Sequence, residues 1–177
     1  MSNPPHSLTA AVAGFAAPSV KLFVSYSHRD PEWLKRLIPV LESIRNDPCW
    51  GETPTLQYVA WHDEQLSCGA PWDPEIRRAL DEMDVFVPLV STHFFGSRYI
   101  RDVELKRAKE RFDADEIQVV PVVLCEVNLE KKCPFLAQFP ILPARGRCWC
   151  SYTPRSRAHG LLEDGLWQAI DLALKRE

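Results

Sequence analysis

The chain has 177 residues, 46% hydrophobic and 25% charged, which suits one globular domain and leaves no room for two full ones. Its 21 Lys and Arg against 24 Asp and Glu give a formal net charge of −3, so no general positive field favours nucleic acid. No apolar run reaches the roughly 20 residues of a membrane-spanning helix, and the 6 cysteines are too sparse for a disulfide framework, so a reducing, cytoplasmic setting is expected.

Residues 1–19 are expected to form a flexible lead-in, because the Ala-rich stretch from Leu8 to Ala17 lacks the preceding basic residues of a signal peptide. One domain should then fill residues 20–177. Lys21 to Tyr26 is the first predicted strand. Asp30-Pro31 supplies a side-chain cap and a first-turn proline for a helix whose apolar face is Trp33, Leu34, Leu37, Ile38, Leu41 and Ile44, with Pro39 bending it. Gln57 to His62 is the second strand. Asp73-Pro74 repeats the capping device before Ile76, Ala79, Leu80 and Met83. Asp84 to Val90 is a nearly unbroken apolar run, as in a strand buried on both faces, with Pro88 as a local distortion. Ser97 caps a third helix ending near Phe112, and Ile117 to Leu124 is a fourth strand containing Pro121. Residues 128–146 read as loop, Arg147 to Cys150 as a fifth strand, and Leu162, Leu166, Ala169, Ile170 and Leu174 as one face of a closing helix.

Short strands alternating with helices predict an α/β fold: a flavodoxin-like three-layer sandwich on a five-stranded parallel sheet of order 2-1-3-4-5. Ligands of such sheets bind beyond the carboxyl ends of the strands where the order reverses. That topology brings Ser25, Tyr26, Ser27 and His28 opposite Ser91, Thr92, His93 and Phe94, beside the start of the third helix.

The common catalytic and cofactor motifs fail. G-x-G-x-x-G, G-x-x-x-x-G-K-[ST] and G-x-S-x-G are all absent. His28-Arg29-Asp30 imitates a kinase catalytic loop, but Lys35 stands where a metal-binding Asn is required. The third strand ends in Val90-Ser91, without the phosphoacceptor carboxylate of a response regulator. Cys148-x-Cys150 lacks a second ligand pair, and His62-Asp63-Glu64 is an ordinary polar strand end, so no metal site is expected. Taken alone, Glu104 is a surface helical carboxylate with Arg101 and Arg107 three residues to either side.

Three segments taken together carry a resemblance. Phe23 to Asp30 (FVSYSHRD), Trp61 to Trp72 (WHDEQLSCGAPW) and Val90 to Leu105 (VSTHFFGSRYIRDVEL) resemble the successive boxes of a bacterial TIR (Toll/interleukin-1 receptor) domain. Asp63 to Trp72 resembles that family's BB loop, with Gly69 giving backbone freedom and Trp72 an anchor. The resemblance implies cleavage of NAD+ at the nicotinamide–ribose bond, with Glu104 as the catalytic carboxylate facing an oxocarbenium-like C1. It also implies contacts to NAD+, as substrate and with no further cofactor, from Ser25, Tyr26, Ser27, His28, Asp63, His93, Phe94, Tyr99 and Ile100. Family members with the pattern Ser-x-Trp-Cys-x-x-Glu carry the aromatic four residues before the glutamate. Here that position is Ile100, and Tyr99 lies one residue earlier.

Plain strand-end packing is the alternative for Tyr26, Ser27 and His28. The implied partners are NAD+ and other TIR domains, stacked head to tail through the BB loop, with a sensor or activator protein as the switch and bacterial antiviral defence or cell death as the setting. Two other functions stay open at this point: a non-enzymatic TIR interaction module, and a deoxyribosyltransferase-like enzyme exchanging bases on a deoxynucleoside.

Overall fold

In the computed structural model, residues 19–47, 56–60, 72–144 and 146–176 are described. Most of the expected lead-in, residues 61–71 of the second box and the side chain of Trp72 lie outside the described residues.

Strand β1 (Val20–Ser25) alternates strictly. Val20, Leu22, Val24 and Tyr26 enter one core and Phe23 the other. β3 (Val85–Val90) does the same, with Val85, Val87 and Leu89 on the first side and Phe86 and Val90 on the second. This two-sided apolar pattern is what an all-parallel sheet requires, since helices cover both faces. Helices α1 (Pro31–Arg45) and α7 (His159–Leu174) cover the first face. The second is covered by α2 (Trp72–Glu82), the short α3 (Thr92–Gly96), α4 (Leu105–Asp113) and two single-turn helices, α5 (Leu129–Lys132) and α6 (Pro134–Ala137).

The five-stranded sheet is parallel, with β2 (Leu56–Ala60), β1, β3 and β4 (Gln118–Val119) in that order and β5 (Val122–Val123) also paired to β3. The order 2-1-3-4 is the expected one. The fourth and fifth strands arise differently from the expectation. The predicted strand from Ile117 to Leu124 is divided at Val120-Pro121, and the register shows why: Val85 pairs with Gln118 and Leu89 with Val122, so Pro121 falls opposite Pro88. Pro88 has no N–H to give across this rung to the neighbouring strand, and Pro121 has none to give on its other side, toward Leu142. Pro88 leaves β3 itself unbroken.

Arg147 to Cys150 is not a strand. Arg147 turns back on Ala144, and Trp149–Ser151 forms a 3₁₀ turn that delivers the Trp149 ring, fully buried, to the first core beside Trp33. The sheet edge beyond β5 is closed instead by Leu142, whose N–H donates to the Pro121 carbonyl and whose carbonyl accepts from the Val123 N–H, and by the Cys150 N–H bonded to the Leu124 carbonyl. α1 keeps its expected face and carries the exposed Pro39 inside a continuous helix.

Candidate functional site

The alternation that sends Val24 and Tyr26 toward α1 sends Ser25 to the opposite face, toward the helix that follows Ser97. There its hydroxyl donates to Oε2 of Glu104. Glu104 is 7% exposed, not the surface carboxylate that its spacing from Arg101 and Arg107 suggests. Burial pushes its carboxyl up to about 7, against the opposing effect of the Ser25 hydrogen bond. Arg107 pairs with Asp81 and Glu110 instead.

Glu104 closes a π-helical turn, Ile100–Glu104, in which the Leu105 N–H reaches back five residues to the Ile100 carbonyl. Ser97 Oγ accepts from the Ile100 N–H at 3.3 Å just before it, as the expected cap would, and regular α4 follows. A π turn accommodates one extra residue. Tyr99, five residues before Glu104, therefore takes the face that a four-residue separation gives in a regular helix. Ile100 turns into the second core, 3% exposed.

The Tyr99 hydroxyl donates to Asp73 Oδ1 at 2.8 Å, and Asp73 Oδ2 accepts from Arg77 Nε at 2.6 Å. Burial and the Asp73 acceptor raise the Tyr99 pKa well above the ordinary phenol range, and the charge of Glu104 acts in the same direction. Arg77 and then Tyr99 hold Asp73 below the usual carboxylate range. Asp73 is thus not the expected helix cap; it lies inside the first turn of α2 and reaches across to the neighbouring helix.

Beyond the ends of β1 and β3 a cleft of about 480 Å³ opens, which neither Ser25 nor Glu104 lines. Ser27, His28 and Arg29 line one side, and His93, Ser97 and Arg98 the other, with no carboxylate among the described residues that line it. His28, Arg29, His93 and Arg98 are exposed. Beneath them, Ser27 is buried and its carbonyl accepts from the Asp30 N–H at 2.8 Å. Asp30 makes no capping bond to α1; its buried carboxylate accepts from Ser91 Oγ at 2.5 Å, and Ser91 Oγ in turn accepts from the Phe94 N–H at 3.0 Å. This chain of bonds ties the end of β1 to the end of β3. Tyr26 and Phe94 serve the cores, Phe94 packing edge-on against Phe95 at 5.4 Å. Asp63 lies outside the described residues. Among the described residues, no group of three or more His, Cys, Asp or Glu side chains is arranged to hold a metal ion.

Residues 22–159 match a family model described as TIR domain. The chain belongs to the TIR-domain family. The curated "Uncharacterized protein y4lF" of Sinorhizobium fredii (strain NBRC 101917 / NGR234) is 34% identical over 111 residues, covering 60% of this chain and 30% of that protein. The chain thus matches under a third of this relative's length, and the relative supports the bacterial type. TIR domains commonly self-associate or bind other TIR domains. No helix among the described residues is long and apolar enough to cross a membrane.

Within the TIR fold, the structure brings Ser25, Ser27, His28, His93, Tyr99 and Glu104 to one end of the sheet, while Tyr26, Phe94 and Ile100 pack inward. Sequence reasoning missed Arg29 and Arg98 as cleft residues, although each adjoins a residue it singled out. It also misread Asp30 and Asp73, because an Asp before Pro is the ordinary sign of a cap, and their actual partners, Ser91 and Tyr99, come from distant segments.

Proposed function

We propose that this TIR domain is an NAD+ glycohydrolase or ADP-ribosyl cyclase with Glu104 as its catalytic carboxylate. The observation that carries the reading is a buried Glu104, hydrogen-bonded to Ser25 at the reversal point of the sheet, the end at which a cleft rimmed by Arg29, Arg98, His28 and His93 also opens. The C–N bond between ribose C1 and nicotinamide breaks with its electron pair leaving on nicotinamide, which departs neutral. C1 takes on positive charge, and ionised Glu104 stabilises it across a water-poor contact, where an opposite charge acts most strongly. The leaving group is already activated as a pyridinium, so the site needs no strong general acid. A water that then adds to C1 gives ADP-ribose and a proton; an adenine nitrogen that adds instead gives the cyclic product. The cationic cleft suits the diphosphate of the same substrate.

Self-association through the segment from Asp63 to Trp72 is the proposed switch, and NAD+ depletion the means of acting in bacterial defence or cell death. The test follows nicotinamide release from NAD+ by concentrated protein over a range of protein concentrations. Wild type should release nicotinamide and Glu104→Gln should lose at least about 100-fold, the scale on which removing a transition-state electrostatic partner acts. Equal rates would overturn the reading. Self-association without nicotinamide release would favour the interaction-module reading instead.

A further inference from the structure

We propose that Asp73 is a positioning residue for the Glu104 site, fixing the Tyr99 ring beside Glu104 through its bond to the Tyr99 hydroxyl. The inference rests on the proposed function and adds to it a residue from outside the three boxes' catalytic segment. The two oxygens of Asp73 have different tasks: Oδ2 takes Arg77 within α2, and Oδ1 takes Tyr99 from the neighbouring helix. The Asp73 side chain is 41% exposed, so its charge stays solvated and does not compete with Glu104 for the reacting centre. Tyr99 is half-buried, its hydroxyl bonds Asp73, whose other oxygen holds Arg77, and the charge of Glu104 adds to the preference for the protonated phenol. The phenol therefore remains a donor, and the donor is directed at Asp73.

This bond matters because of the π turn. The extra residue between Tyr99 and Glu104 changes the face from which the ring approaches, so the spacing alone does not set the ring where a regular turn would, although Tyr99 itself keeps ordinary helical backbone. A side chain held at one end by its Cα and at the other by a charged acceptor has its ring plane defined. The ring also packs against the second core, so the acceptor fixes its hydroxyl end; without the acceptor that end can shift, and a displacement of about 1 Å at a reacting centre is enough to cost rate.

The test measures kcat and KM for NAD+ in the full chain, with thermal midpoint and circular dichroism confirming the fold of each variant. Asp73→Ala and Tyr99→Phe should each lower kcat by about 10-fold, the scale of one hydrogen bond to a charged group, with KM changing by less than about twofold. The double variant should lose no more than either single one, because both remove the same bond. Asp73→Asn, which keeps an acceptor, should recover most of the loss. Arg77→Gln removes the ion pair but not the Tyr99 bond, and should cost less than about twofold. Fully additive losses, an Arg77→Gln loss as large as that of Asp73→Ala, or wild-type kinetics in Asp73→Ala while Glu104→Gln is inactive would each overturn the inference and leave the assignment of Glu104 standing. Wild-type release by Glu104→Gln would overturn the functional reading and this inference with it.

Discussion

Burial holds the Glu104 carboxyl well above the usual carboxylate range, at about 7, with the Ser25 hydroxyl as its hydrogen-bond partner. On the proposed mechanism ionised Glu104 is the form that faces positive charge at C1, so activity should rise as pH climbs through about 7, in a pH profile of kcat/KM. Ser25→Ala removes the bond that favours the ionised form, and its acid limb should move to higher pH. The same shift has a sign in stability. The folded-state pKa lies above the unfolded one, so the protonated form stabilises the fold below about 4.5, and that contribution is lost as pH rises through about 7. Glu104→Gln should therefore be more stable than wild type at pH 8 by up to about 3 kcal/mol, with little difference at pH 4, read from denaturant midpoints. The sequence located Glu104 by motif but not its environment. Counting three residues to Arg101 and Arg107 assumes a regular helix with an exposed face, and neither assumption holds at the π turn.

Most of the secondary elements are legible because each has a strong local cause. The alternating residues of β1 and β3, the apolar stripe of α1 and the serine before the third helix all predict what is found. The failures share a cause as well: they depend on what stands opposite. Pro121 alone marks a blemish, and only the register with Pro88 turns it into a break between β4 and β5. Arg147 to Cys150 has strand-like residues, but burying Trp149 against Trp33 bends the backbone into a 3₁₀ turn. Asp30 and Ser91 show the energetic side of such cross-element pairing. Ser91→Ala strips a buried carboxylate of its hydroxyl donor, and equilibrium denaturation should show a loss of about 1–3 kcal/mol, more than an exposed serine would cost.

At the scale of the whole molecule, the three-layer architecture was readable from the alternation of strands and helices, and the family from three boxes in order, matched over residues 22–159. What a single chain does not encode locally is how copies meet. If activity depends on self-association, specific activity should rise with protein concentration, more steeply than a monomeric enzyme's constant value, in the nicotinamide assay combined with light scattering. The helical layer that would transmit such contact has a definite construction. Asp73 bonds Tyr99, Asp81 bonds Arg107, and the buried Arg111 donates to the carbonyls of Leu80 and Met83. These ties succeed one another in the same direction along both helices, like rungs, and join α2 to α4 as a single plate. Glu104 rides on that plate, whereas Ser25 belongs to the sheet. The bond between them crosses from the helical layer to the sheet, so a shift of that layer against the sheet would be felt as a change in the acidity of one carboxyl group.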